Sequence, residues 1–257
     1  DLWKDLPVPE GIEYPKDDTQ KEFVKVAALA DGTPQKDIVA ASKRGRSHAQ
    51  EGKPRDDHFK LFHNEENNWY VIAVADGAGS AKFSREGSRI ACETAVSHCI
   101  TQLSDCRKFE ENIQQYDMFK DEDEAQARKY VGDDIYRIVA TAAYKAQKAI
   151  YVEAEKTNRR AKDYATTFLL TISKKFSFGW FIASFWVGDG AICLYDNKGE
   201  THTAKLLGVP DEGEYAGQTR FLTMPDIFQD ASSIYQRLRF CIVPDFTALF
   251  LMTDGVS

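Results

Sequence analysis

From Trp69 to Gly79 the chain reads Trp-Tyr-Val-Ile-Ala-Val-Ala-Asp-Gly-Ala-Gly, an apolar run from Tyr70 to Ala75 that stops at a carboxylate followed by glycines. An unbroken apolar run of strand length offers no polar face to water, so both of its faces are covered and the strand is central in its sheet. It delivers Asp76 to the edge of a cleft, where Gly77 and Gly79 let the backbone turn sharply and approach a ligand. The pattern recurs at Ala248 to Gly255, Ala-Leu-Phe-Leu-Met-Thr-Asp-Gly, and Asp56-Asp57 directly precedes another apolar-rich segment, His58 to Phe62. Asp-Gly alone is a common turn dipeptide. Three acidic groups at three strand ends are a different signal, and they predict a carboxylate cage for a metal.

Composition narrows the class. A chain of 257 residues that is 43% hydrophobic can bury a substantial core. Its net charge of -7, with no basic patch interleaved with aromatics, argues against nucleic acid as a partner. The five cysteines, Cys92, Cys99, Cys106, Cys193 and Cys241, form no CxxC pair and have no histidine at zinc spacing, which predicts free thiols in a reducing compartment. Cys92, Cys99 and Cys106 recur at the spacing of one helix face and read as small core residues. The apolar runs are far shorter than the roughly 20 residues a membrane span needs. The first residues carry no basic-then-apolar signal, so the expectation is a cytoplasmic protein with no membrane partner.

In chain order, residues 1–35 are punctuated by Pro7, Pro9, Pro15 and Pro34 and read as an extended N-terminal arm with one short helix near Gln20 to Leu29. Residues 36–257 form the second unit, a single domain. Asp37 to Ser42 is a strand candidate that runs into a basic, glycine-punctuated loop from Lys43 to Arg55. A cationic loop feeding a carboxylate pair suits phosphate chemistry, because guanidinium groups match phosphate oxygens bidentately. Ser84 to Leu103 has helical periodicity with Ser84 as its cap. Ser104 to Arg128, with its acidic run Asp121 to Glu124, reads as a surface excursion. A second long helix follows, carrying Val131, Ile135, Ile138, Val139, Ala142, Ala146 and Ala149 on one face. Strands are predicted over Thr166 to Ser173, Phe178 to Val187, Ala191 to Asp196, Gln218 to Thr223, Leu238 to Val243 and Ala248 to Met252. Gly188-Asp-Gly190 and Asn197-Lys-Gly199 read as hairpin turns. Terminal strand blocks around paired helices, without βαβ alternation, imply an α+β layered sandwich of antiparallel sheets.

A hard divalent cation such as Mg2+ or Mn2+ takes oxygen donors, so a few aspartates and a backbone carbonyl make an adequate site. Two such ions can activate a water for attack on phosphorus, the chemistry of phosphate-ester hydrolysis. Val74-Ala-Asp-Gly-Ala-Gly79, Arg55-Asp-Asp-His58, Ala165-Thr-Thr167, Val187-Gly-Asp-Gly190 and Leu251-Met-Thr-Asp-Gly255 resemble, in order, the motifs of the type 2C metal-dependent serine/threonine protein phosphatases, in a bacterial-looking branch. The resemblance spans residues from about 40 to 257 of this sequence. It implies a four-layer α-β-β-α sandwich of two antiparallel sheets flanked by paired antiparallel helices, with a binuclear Mn2+ or Mg2+ centre at one end. It further implies that Asp76 bridges the two ions, that the Gly77 carbonyl joins one, that Asp254 ligates the other, and that Asp56 and Asp57 stand at second-metal positions. Asp189 matches a turn aspartate linked to a weaker third ion.

Three departures from the family pattern shape the remaining expectations. Ala78 stands where the family often has a histidine acid, and Gly190-Ala191 follow Asp189 where Ser-Arg is usual. One further metal aspartate of the family falls beyond Ser257, so the expectation is a domain truncated at its C-terminus with one of its two ions weakly held. His48, from the basic loop, is the candidate replacement acid, since histidine is the side chain suited to proton transfer near neutral pH. Arg46 is the candidate holder of the phosphoryl oxygens. The function so implied is hydrolysis of phosphoserine and phosphothreonine in proteins by a metal-bridging water, with a phosphoprotein substrate and a partner kinase. The alternatives are a catalytically weak phosphatase-like binding module in signalling, or a hydrolase of small phosphate esters.

Overall fold

The computed structural model of the chain describes residues 4–9, 18–198, 201–208, 211 and 219–255. In chain order its elements are strand β1 (Thr19–Val24), β2 (Ile38–Lys43), helix α1 (Arg46–Glu51), β3 (His58–His63), β4 (Tyr70–Ala75), α2 (Ser84–Leu103), α3 (Arg107–Phe119) and α4 (Glu124–Ile135). A π-helical turn (Tyr136–Ala140) joins α4 to α5 (Thr141–Lys156). Then come β5 (Phe168–Phe176), β6 (Gly179–Val187), β7 (Ala191–Lys198), β8 (Thr201–Leu206), α6 (Ala231–Tyr235), β9 (Leu238–Val243) and β10 (Ala248–Met252).

All strand pairing is antiparallel, in a five-stranded sheet of order β3-β4-β5-β6-β9, a three-stranded sheet β10-β7-β8 and a ribbon β1-β2. The apolar run forms β4 and has a neighbour on each side, as its lack of alternation requires. Its side chains divide between two cores: Val71, Ala73 and Ala75 lie under the helices, while Tyr70, Ile72 and Val74 face the second sheet layer. Helix α2 packs on β3 and β4 with α5 beside it, and the second core is filled by Phe59, Leu169, Trp180 and Ile182 against Ile192 and Leu194. The antiparallel sandwich with paired helices is therefore present. Among the described residues the helices cover the five-stranded sheet, and Phe250 of β10 remains exposed.

Several local expectations are corrected. The helix expected near Gln20 to Leu29 is strand β1, whose residues pair with β2 from Thr19↔Lys43 to Val24↔Ile38. Long-range pairing overrides a local pattern that suits either state. The excursion expected over Ser104 to Arg128 holds α3 and the start of α4. Phe109, Ile113 and Tyr116 recur along one face of α3 and are buried, and Phe109 stacks on Trp69 with centroids 5.4 Å apart. The acidic run is the turn between the two helices, where Asp123 caps α4 by accepting the Gln126 N–H at 3.0 Å.

The long second helix is interrupted at Tyr136–Ala140, where the wider turn buries Ile138, Val139 and Ala140 in succession. Gly188-Asp-Gly190 is no hairpin, since β6 belongs to the five-stranded sheet and β7 to the three-stranded one, so the turn carries the chain between layers. The second hairpin is present between β7 and β8, with 199 and 200 outside the described residues. The strand expected over Gln218 to Thr223 is irregular from 219 onward, Gln218 lying outside the described residues. The strand that follows β7 and pairs with it, beside β10 on its other edge, is instead β8, exposed along its whole length and so without an apolar signature.

Phe109→Ala is expected to destabilise the protein by about 3–5 kcal/mol, the usual cost of emptying a buried aromatic site. Glu111→Ala on the outer face of the same helix should change stability by less than about 0.5 kcal/mol. Urea unfolding followed by tryptophan fluorescence measures both; comparable losses would contradict the assignment of the buried face.

Candidate metal centre

Three strand ends meet at the carboxylates. Register decides this: His58↔Ala75 places the segment entering β3 beside the segment leaving β4, so Asp56 and Asp57 flank Asp76 and Gly77. The approach is close enough that a Cβ on Gly77 would stand 2.9 Å from the Asp56 carbonyl oxygen and 2.8 Å from the Ser84 backbone, so only glycine fits there. The third contributor arrives from the other sheet. Met252 pairs with Ala191, and the chain leaving β10 brings Thr253 Oγ1 to 3.4 Å from Asp57 Oδ2, with Asp254 next.

The backbone of Asp76 is fixed by the start of β5. Its N–H donates to Thr167 Oγ1 at 3.0 Å, and its carbonyl accepts from the Thr167 N–H at 2.8 Å and the Thr166 hydroxyl at 2.9 Å. Burial first, then the hydrogen bond and repulsion from Asp57 and those from Asp254, hold the Asp76 carboxyl far above the ordinary carboxylate range. Asp56 is pushed up to about 6, chiefly by burial and secondarily by Asp57, against the opposing effects of His48, the Ser84 hydroxyl and Arg85.

The basic stretch before these aspartates contains a short helix, α1, rather than an open loop. It turns His48 inward and leaves Arg46 exposed. His48 Nδ1 lies 2.9 Å from the Pro54 carbonyl oxygen and 3.6 Å from Asp56 Oδ2, while Nε2 faces the glycine turn, 3.8 Å from where a Cβ on Gly79 would sit. The buried guanidinium groups beside the cluster are Arg55 and Arg85, both 2% exposed. Arg55 donates to the Asp57 carbonyl and the Ser42 hydroxyl; Arg85 reaches the Asp57 carbonyl at 3.5 Å and His58 Nδ1 at 2.9 Å.

Of the residues singled out in the sequence, the structure thus gathers Asp56, Asp57, Asp76, Gly77 and Asp254, with His48 beside them. Asp189 sits in the layer-crossing turn and accepts a hydrogen bond from the Thr219 hydroxyl at 2.5 Å. That turn touches the centre through its glycines: a Cβ on Gly188 would meet Thr167, and one on Gly190 would meet the Met252 carbonyl. Arg85 and Ser88 escaped sequence reading, although with Cys92 they recur at i, i+3 and i+7 on the buried face of α2, where an arginine is unusual. Ser84 does not cap that helix; Phe83 holds the cap position, and the serine hydroxyl bonds Asp56.

Whether a cation suits this place is a question of donors. Among the described residues no three His, Cys, Asp or Glu side chains already stand at ligating distance. Yet the carboxyls of Asp57 and Asp254 each stand close enough to that of Asp76 to raise it, and the donors are oxygen alone, with no thiol or imidazole among them. Oxygen donors crowded in this way suit a hard divalent ion such as Mg2+ or Mn2+.

The sequence matches the family described as Protein phosphatase 2C over residues 44–257. No curated protein matches it. Among solved structures, serine/threonine phosphatase Stp1 from Staphylococcus aureus is similar at 13% identity, with 78% of this chain and 70% of that chain covered and a TM-score of 0.46. A serine-threonine phosphatase 2C from Toxoplasma gondii is 18% identical, with 61% and 46% covered and a TM-score of 0.38. A Stage II sporulation E family protein from Thermanaerovibrio acidaminovorans is 15% identical, with 60% and 54% covered and a TM-score of 0.37. The chain spans about half the length of these last two.

The raised Asp76 carboxyl dictates a pH dependence. Above about pH 4 the unfolded chain has released this proton while the folded, metal-free protein retains it, so stability falls as pH rises through the window up to the folded-state value. Asp56 adds the same sign between about 4 and about 6. Asp76→Asn, which cannot ionise, should flatten the slope and raise the melting temperature at pH 8 in chelator by about 2–4 °C or more. Added Mn2+ should stabilise the parent protein and not the variant. A parent melting temperature that climbs from pH 5 to 8 in chelator would refute this account.

Proposed function

We propose, from the premise that this chain belongs to the protein phosphatase 2C family, that it hydrolyses phosphoserine and phosphothreonine esters in proteins with the help of two hard divalent cations. The observation that carries the reading is the convergence of Asp57 and Asp254, from two other strand ends, on the carboxyl of Asp76. Such a group is costly without a cation and has no structural use that a hydrophobic residue would not serve better. Asp56, Asp57, Asp76, Asp254 and the Gly77 carbonyl would hold the ions, with Asp76 at the middle of the group. When bound, Mn2+ or Mg2+ supplies activation of water and neutralisation of phosphoryl charge.

The remaining work falls to side chains of this chain. His48 is suited to the proton transfer that an alkoxide leaving group needs. The Pro54 carbonyl and Asp56 both face Nδ1, which leaves Nε2 toward the glycine turn, where Ala78 brings no polar group of its own. Arg46, exposed at the first turn of α1, is free to meet an incoming phosphoryl group, whereas Arg55 and Arg85 are occupied in holding the Asp57 and His58 backbone and ring. A phosphoprotein is the substrate class that fits this chemistry, which presupposes a kinase acting upstream of it.

A phosphoserine peptide and p-nitrophenyl phosphate, each assayed with Mn2+ and with chelator, test the reading. Hydrolysis should require the metal and be abolished in Asp76→Ala. His48→Ala should slow the peptide about 10²-fold, the usual worth of a general acid, and barely affect the aryl ester, whose leaving group needs no proton. Arg46→Ala should slow both substrates alike. Peptide binding without turnover would replace the enzyme with a binding module, and equal loss on both substrates for His48→Ala would remove it as the acid.

A further inference from the structure

The turn between β6 and β7 is held far more firmly than a layer crossing requires. The Gly188 N–H donates to Asp211 Oδ2 at 2.8 Å, the Gly188 carbonyl accepts from the Asp211 N–H at 3.2 Å and from Trp186 Nε1 at 2.9 Å, and all of the glycine's backbone polar groups are thereby used. Asp211 in turn pairs with Arg237, whose Nη1 lies 2.5 Å from the same Oδ2 and also donates to the Trp186 carbonyl at 3.2 Å. Both side chains are largely buried, where an ion pair is sensitive to the loss of either partner. Gly188 adopts φ of +106°, and a Cβ there would lie 2.6 Å from Thr167 Cγ2, so the glycine backbone rests directly on that threonine. Thr167 is the residue whose hydroxyl and N–H grip both polar groups of the Asp76 peptide.

We propose that Asp211 and Arg237 are positioning residues for the metal centre: their ion pair clamps Gly188 against Thr167, and Thr167 so held fixes the direction in which Asp76 presents its carboxylate. Neither residue lies in a motif that marks the centre in sequence, and neither touches a carboxylate of the cluster in the bonds described above. The inference rests on the reading of Asp76 as a metal ligand. A one-ångström drift of a bridging ligand is enough to weaken a site whose geometry must be held within a fraction of that distance.

The test combines Mn2+ affinity by electron paramagnetic resonance with amide hydrogen exchange on the metal-free protein. Asp211→Ala should lower Mn2+ affinity about 10-fold or more, in the range usual for removing outer-shell support of a metal ligand. It should speed exchange at Asp76 and Thr167 while leaving Leu61 of β3 unchanged. Arg237→Ala should do the same and Arg237→Lys, which keeps the charge, should lose less. Asp211→Asn, which keeps the volume and an acceptor for Gly188, covers the case in which Asp211→Ala does not fold. Thr167→Ala combined with Asp211→Asn should be no worse than the more harmful single change, because both act on one chain of contacts. Unchanged affinity and exchange in folded variants, or losses that simply add, would overturn the clamp. Absence of Mn2+ binding in the parent protein would overturn the metal reading instead, and the exchange rates at Asp76 would still decide the clamp.

Discussion

The peptide group of Asp76 is bonded at both its N–H and its carbonyl by Thr166 and Thr167, and this grip is what keeps three like carboxyls together. Without it the strand end would swing outward and relieve the repulsion from Asp57 and Asp254 at almost no expense. With it, any such movement leaves buried backbone groups unpaired, which costs about 1–3 kcal/mol for each group. Burial is the first cause of the raised Asp76 pKa, and the hydrogen bonds and repulsion from Asp57 and Asp254 add to it. A divalent cation held by these carboxyls, as proposed above, would offset that crowding.

The same constraint explains why the surroundings are so closely fitted. Gly77 lies against the Ser84 backbone and the Asp56 carbonyl, Gly87 of α2 lies against the Tyr164 carbonyl, and Gly188 lies against Thr167. At the first two contacts a methyl group would force two pieces of backbone apart, and at Gly188 it would strike the Thr167 side chain. Helix α2 contributes twice: its apolar residues anchor it on β3 and β4, and its polar residues Ser84, Arg85 and Ser88 reach the segment carrying Asp56 and Asp57. Core and centre therefore share a wall, and a change in helix packing would be felt at the carboxylates.

His48 is the imidazole nearest the glycine turn in the bonds described above. The glycine turn itself carries Ala78, and α1 brings the His48 imidazole near that turn, with Nε2 3.8 Å from where a Cβ on Gly79 would sit. Asp56 connects the two halves of the arrangement, since its carboxylate lies 3.6 Å from His48 while its neighbour Asp57 belongs to the crowded group. Proton transfer and cation binding would thus be coupled through adjacent residues of one short loop.

Much of the frame was legible in the sequence because it rests on local patterns. The unbroken apolar run of β4, the periodicity of α2 from Ser84 to Leu103, and the strands β9 and β10 lie where hydrophobic spacing puts them. The aspartates were legible because carboxylates at the ends of apolar strands are conspicuous. What escaped was polar or non-local. β1 and β8 carry no apolar alternation and exist because β2 and β7 offer them hydrogen bonds. α3 is amphipathic, but its three buried residues are outnumbered by charged ones. The turn at 188–190 has the composition of a hairpin and became a crossing because its flanking strands found partners in different sheets. The sequence alone determined which residues could supply carboxylates and strand cores, since those depend on residue type and spacing. Only the tertiary structure decided that Asp57, Asp76 and Asp254 meet, that Arg85 and Thr167 support them, and that Asp211 and Arg237 lie behind the turn. Each of these depends on contacts between segments far apart in the chain, where pairing register and layer packing set the distances that no local pattern encodes.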